Sequence, residues 1–105
     1  MATFTESTRA DGGCVVRLEG EIDLAVADEL ARVVLGCLDR ADDVELDFGG
    51  VTFIDSSGLG ALVRVRNEAT RQGKTLSLVD VGRPTLRLLE ITGLQEAFDI
   101  RPRES

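Results

Sequence analysis

The residues in this chain best placed to do chemistry are the run Asp55-Ser56-Ser57-Gly58-Leu59-Gly60, with Asp23 a second acid far upstream. Two adjacent hydroxyls and a carboxylate stand where an apolar stretch, Val44 to Ile54, hands over to an amphipathic one, Leu59 to Gln72. The pattern changes there from strand-like to helical. A helix start exposes unpaired N–H groups and the positive end of the helix dipole. Three chemistries suit such a place: a serine nucleophile, a phosphate cradle, or an acceptor for a modifying group.

A serine nucleophile needs a base to take its proton. The chain has no histidine, so a Ser-His-Asp triad is impossible. Lys74 is the sole lysine; it lies past the far end of the predicted helix, more than about 20 Å from Ser57 at roughly 1.5 Å per residue. Asp23 and Asp55 form a conceivable acid/base pair, but acids at two helix starts are more commonly caps. A catalytic role therefore has no support here. For a phosphate cradle there are Gly49-Gly50 and Gly58-x-Gly60, yet no GxxxxGK[ST] and no GxGxxG after a first strand. The glycines have a plainer predicted use, letting the helix start pack closely on neighbouring backbone. The third chemistry remains. A phosphate on Ser57 would bring about −1.5 to −2 charges, and a helix N-terminus accommodates an anion without unfolding. It would repel or block a partner docked over the helix start. On the residues alone, a Ser-Ser pair serving merely as a helix cap stays open beside this reading.

The elements that must position these residues follow from periodicity. Phe4 to Arg9 reads as a short edge strand, Asp11-Gly12-Gly13 as a turn, and Cys14 to Ile22 as the second strand of a hairpin. Asp23 is an N-cap for a helix whose apolar positions are Val26, Leu30, Val33, Val34, Cys37, Leu38 and Ala41, ended by Asp42-Asp43. Val44 to Phe48 alternates as a strand; Gly49-Gly50 loosens the chain; Val51 to Ile54 continues to the motif. A helix follows from Ser57 with Leu59, Leu62, Val63 and Ala69 inward, stopped by Gly73. Thr75 to Val79 is a strand. Arg83-Pro84 opens a third helix that turns Leu86, Leu89 and Ile91 inward and stops at Gly93. Gln95-Glu96-Ala97 connects to a last strand, Phe98 to Ile100, and the polar tail beyond is expected to fray. The order β-β-α-β-α-β-α-β predicts an α/β fold: one mixed, mostly parallel sheet with an N-terminal antiparallel strand and helices packed on it.

Composition narrows the partners. The 105 residues fit one domain, 1–105, and 43% hydrophobic with 30% charged residues is a soluble globular profile, not a disordered one. A net charge of −7, with arginines scattered among acids and 4% aromatics, all Phe, argues against nucleic acid. The apolar runs fall short of the ~20 residues that span a bilayer, and the N-terminus lacks a signal-peptide pattern. No membrane association and a cytoplasmic location are expected. Cys14 and Cys37 sit in apolar stretches without CxxC or Cys/His spacing, so buried free thiols are expected and a metal site is not.

Val51-Thr52-Phe53-Ile54-Asp55-Ser56-Ser57-Gly58-Leu59-Gly60 resembles the signature of STAS domains, specifically the bacterial anti-sigma factor antagonists. Gly20-Glu21-Ile22-Asp23, Leu46-Asp47-Phe48, Leu88 to Leu94 and Phe98-Asp99-Ile100 resemble further family segments, so the likeness covers nearly the whole chain. The resemblance implies the STAS fold and selects the second serine, Ser57, as phosphoacceptor. It implies that Asp23 lies beside Ser57, that Asp55 fixes the motif turn, and that Ser56, Gly58, Leu59 and Gly60 complete the motif and docking surface. The implied partner is an anti-sigma factor with a histidine-kinase-like ATPase fold: it binds the unmodified antagonist and releases the sigma factor, and phosphorylation ends that binding. A serine phosphatase resets the switch. ATP and Mg²⁺ belong to the kinase, so no cofactor is expected on this chain. The alternative within the same family is a non-switching scaffold or regulatory subunit in a stressosome-like or lipid-transport assembly.

Overall fold

The computed structural model describes residues 1–102. Five strands form one sheet in the order β1-β2-β3-β4-β5: β1 (Ala2–Thr8), β2 (Cys14–Ile22), β3 (Asp43–Ile54), β4 (Thr75–Val79) and β5 (Asp99–Arg101). β1 runs antiparallel to β2 and the remaining pairs are parallel. The helices are α1 (Leu24–Arg40), α2 (Ser56–Arg71) and α3 (Arg83–Ile91), with a 3₁₀ turn at Gln95–Ala97. This is the expected α/β order. Among the described residues no helix is long and apolar enough to cross a membrane.

The β1–β2 hairpin closes at the expected turn. The Asp11 carboxylate accepts from the Gly13 N–H at 2.9 Å, while the Arg9 N–H donates to the Gly13 carbonyl at 2.7 Å. Arg9 itself is outside the strand, contrary to expectation: its guanidinium pairs with Asp11, Asp43 and Glu45 and ties the hairpin to the start of β3. The helix stops at Gly73 and Gly93 are as expected. Both have positive φ, +69° and +72°, and the N–H of the next residue reaches back to Ala69 and Leu89, a turn that glycine reaches without a Cβ penalty.

Three boundaries differ from the sequence reading. Gly49-Gly50 does not interrupt the third strand, which runs twelve residues with two register shifts against β2. Each shift adds one residue on β3, so two of them restore the inward parity: Val44, Leu46 and Phe48 face the core, and so does Ile54. Phe53, between them, is left half exposed. In α3, Leu89 is fully buried but Ile91 is 75% exposed. Two residues along a helix turn about 200°, so the two cannot share a face; Thr85, one turn before Leu89, takes the inward position instead. The last strand starts at Asp99, with Phe98 buried as its anchor, and includes Arg101. The rest of the expected frayed tail, 103–105, lies outside the described residues.

The core is formed by Val16, Leu18 and Ile22 of β2, the inward row of β3, Leu76 and Leu78 of β4, and facing residues of α1 and α2. The two helices pack on the sheet and against each other. Leu30, Val34 and Leu38 line the inner stripe of α1. On α2 the stripe is Leu62, Val65 and Ala69 at i, i+3 and i+7, with Val63 at its margin rather than in it.

Candidate functional site

Strands β2 and β3 end together. Ile22 pairs with Ile54, both are buried, and each strand passes through one acidic residue directly into a helix. Asp23 caps α1, its Oδ1 accepting from the Ala25 N–H at 3.1 Å. Asp55 caps α2 more completely, its Oδ1 accepting from the N–H of Ser57 at 2.9 Å and of Gly58 at 3.1 Å. The Asp55 N–H donates to the Ile22 carbonyl at 3.1 Å, stitching one cap to the end of the neighbouring strand. Two helix N-termini therefore open side by side at the carboxyl edge of a parallel sheet, the edge at which α/β folds present their ligand-facing loops. Their partial positive charges face a pair of carboxylates. Further along the two helices, Arg64 of α2 pairs with Asp28 of α1 at 3.2 Å across the helix interface.

The structure sorts the motif into outward and inward residues. Ser56 is exposed at the first helical position, and Ser57 follows, partly buried. The cap uses the Ser57 backbone N–H, not its hydroxyl. Gly58 and Leu59, expected as part of a docking surface, turn inward; Leu59 is only 5% exposed. The reason is packing. A Cβ on Gly58 would stand 2.8 Å from Ile22 Cγ2 and from Ile54 Cγ1, and 2.9 Å from the Ile22 carbonyl oxygen. Gly60 is the opposite case: it is exposed, and a Cβ there would meet nothing within 4 Å. The expectation that both glycines permit close approach thus holds for Gly58 and fails for Gly60.

Two apolar residues that the sequence reading left out of the site flank it. Leu24, the first residue of α1, is 78% exposed, and Phe53 is 50% exposed beside Glu21 in the sheet register. Leu24 stands six residues before Leu30, about 120° round the helix from the inner stripe, in the first turn of α1. Phe53 was hidden because Gly49-Gly50 reads as a break in the strand, which stops the period-2 count from Val44 that places Phe53 on the outward side. Lys74 is committed elsewhere: its ammonium donates to the Leu38 carbonyl and stands 3.9 Å from Asp42, at the far end of α2.

The Asp55 cap carries a stability prediction. Asp55→Ala removes the acceptor of two N–H groups and should cost roughly 0.5–2 kcal/mol, measured by urea denaturation. A change below the error of that measurement would show that water replaces the carboxylate without loss.

Comparison with known proteins gives a consistent result. The STAS domain model matches residues 4–105. The anti-sigma-B factor antagonist of Bacillus subtilis is 32% identical over 85 residues, covering 81% of this chain and 78% of that protein. The anti-sigma-B factor antagonist of Staphylococcus aureus is 30% identical over 96 residues, covering 90% and 89%. The crystal structure of an anti-sigma factor antagonist from Mycobacterium paratuberculosis superimposes with a TM-score of 0.86 at 27% identity, covering 98% of this chain and 87% of that one.

Proposed function

We propose that this chain, which belongs to the STAS domain family, is an anti-sigma factor antagonist whose grip on its partner is switched at Ser57. The observation that carries the reading is the placement of Ser57 in the first turn of α2, beside the start of α1, with its amide held by Asp55 and its hydroxyl not used by the cap. The partner is an anti-sigma factor that is itself a kinase of the histidine-kinase-like ATPase type; ATP and Mg²⁺ are held on its side. The exchange takes place in the cytoplasm.

In the unmodified state the edge offers a neutral hydroxyl pair between two acids, flanked by the exposed side chains of Leu24 and Phe53. Burying those two supplies apolar area, at about 25 cal/mol per Å² removed from water. Phosphorylation joins the Ser57 oxygen to the γ-phosphorus of ATP; ADP leaves, and the hydroxyl proton passes to a base on the kinase. The product carries about −1.5 to −2 charges, which the N-terminus of α2 tolerates. The fold therefore persists while the surface changes. Added to Asp23, Asp55 and Glu21, the new charge makes desolvating this edge against an apolar or acidic partner surface unfavourable, and the complex separates. A serine phosphatase restores the hydroxyl.

The test is direct. Incubation with the cognate anti-sigma kinase and Mg-ATP should add one phosphoryl group, mapped to Ser57 by mass spectrometry, and Ser57→Ala should abolish it. Phosphate that persists in Ser57→Ala, or maps to Ser56, would overturn the assignment.

A further inference from the structure

Ser57 and Arg64 stand seven residues apart on α2. At about 100° per residue that is within about 20° of two full turns, so both occupy one side of the helix. Arg64 identifies that side as the one turned toward α1, because its Nη2 donates to Asp28 Oδ1 at 3.2 Å. The level of this contact is set by the strand ends. α1 and α2 leave the paired residues Ile22 and Ile54 through Asp23 and Asp55. Asp28 is five residues past the first cap and Gly60 five past the second, so Asp28 is level with Gly60. To reach it the Arg64 side chain leans back one turn toward the start of α2, the direction helical side chains favour. Its guanidinium therefore lies about three residues, roughly 4.5 Å along the axis, from the level of Ser57. On α2 no side chain fills that interval. Gly60 has none, and a Cβ there would meet nothing within 4 Å; Ala61 turns inward and is fully buried. The ion pair is loosely held, with the Arg64 side chain 56% and the Asp28 side chain 90% exposed, and pairs so exposed constrain a side chain weakly.

We propose that Arg64 binds the phosphate of phosphorylated Ser57, giving up Asp28 to do so. The inference rests on the Ser57 reading above and adds to it the residue that receives the phosphate. A phosphoserine carries about −1.5 to −2 charges and three acceptor oxygens, against the single carboxylate charge of Asp28. The planar guanidinium fork matches two phosphate oxygens at once. Rotation of one exposed side chain makes the exchange, and the backbone of both helices stays in place. The charged groups at this edge are otherwise acids: Asp55 at the cap of α2, Asp23 and Asp28 of the first turns of α1, and Glu21 at the end of β2. Arg32 stands a turn beyond Asp28 on α1 and is exposed. Once Arg64 has moved, Asp28 loses that partner. The negative charge gained at the helix start then extends along the groove between α1 and α2, past the exposed Leu24 one turn before Asp28. A partner docked on Leu24 meets that charge even where it does not touch Ser57.

The experiment places phosphoserine at position 57 of the full chain during translation, so it needs no kinase, and follows the phosphate by phosphorus NMR as pH is varied. A neighbouring cation favours the dianion, so Arg64→Gln should raise the second pKa of the phosphate by about 0.5 or more. Arg83→Gln, at the start of α3 and not on the α1 side of α2, should leave that pKa in place. In the nitrogen–proton spectrum the Arg64 Nε–H signal should move downfield in the phosphorylated chain relative to the unmodified one. Arg64 is exposed, and its substitution is expected to leave the fold intact. A phosphate that titrates alike in the parent chain and in Arg64→Gln, an equal shift in Arg83→Gln, an unmoved Arg64 signal, or loss of the folded spectrum on phosphorylation would overturn the proposal. Failure of the switch itself appears elsewhere, in the mass map of the kinase-treated chain, so the two readings fail separately.

Discussion

Ser57→Asp is expected to weaken binding to the anti-sigma partner by roughly ten- to a hundredfold, equivalent to about 1.4–2.8 kcal/mol, while leaving the fold within about 1 kcal/mol of wild type. The two halves of the expectation have one cause. In the isolated protein the new carboxylate stands in the first turn of α2, where the helix dipole favours negative charge and water still reaches a partly buried position. In the complex the same carboxylate loses its water beside Asp23 and Asp55, and like charges brought together in an interface are costly. Aspartate carries less charge than phosphate, so the substitution is a lower bound on the natural switch. Ser57→Asn separates charge from shape: with the same size and no charge, it should bind far better than Ser57→Asp. Titration calorimetry or surface plasmon resonance reads both. If Asp binds as tightly as serine, the charge argument fails; if Asn is as weak as Asp, the effect is steric.

The two motif glycines should respond to alanine with opposite signs. Gly58→Ala places a methyl 2.8 Å from Ile22 Cγ2 and Ile54 Cγ1 and 2.9 Å from a backbone oxygen. The oxygen belongs to the strand end that accepts the Asp55 N–H, so it cannot retreat without loosening that stitch. Overpacking of this kind costs roughly 1–3 kcal/mol, and the same shift moves the first turn of α2 and weakens partner binding. Gly60→Ala meets open space at an exposed helical position. It should stabilise by about 0.5–1 kcal/mol, the usual helix-propensity gain of alanine over glycine. Chemical denaturation of the pair is the measurement. Equal effects at both positions would mean that the tight contact at Gly58 relaxes without cost.

The chain itself determined the order of strands and helices, the two acidic caps and the helix stops. These are local properties: period 2 against 3.6, an acid before an apolar repeat, a glycine after it. The Asp-Ser-Ser-Gly-Leu run also pointed to the candidate site and to the family. Tertiary structure alone decided how these pieces meet. The Ile22–Ile54 pairing set the two caps side by side, and the continuation of β3 through Gly49-Gly50, with two register shifts that cancel in parity, left Phe53 outward and Ile54 inward. Packing sent Gly58 and Leu59 into the core while leaving Leu24, at the start of α1, exposed. Such juxtapositions depend on contacts between residues far apart in the chain, and a periodic pattern reports only which side of its own element a residue occupies. Which elements lie next to that side, and in what register, is settled when the sheet closes.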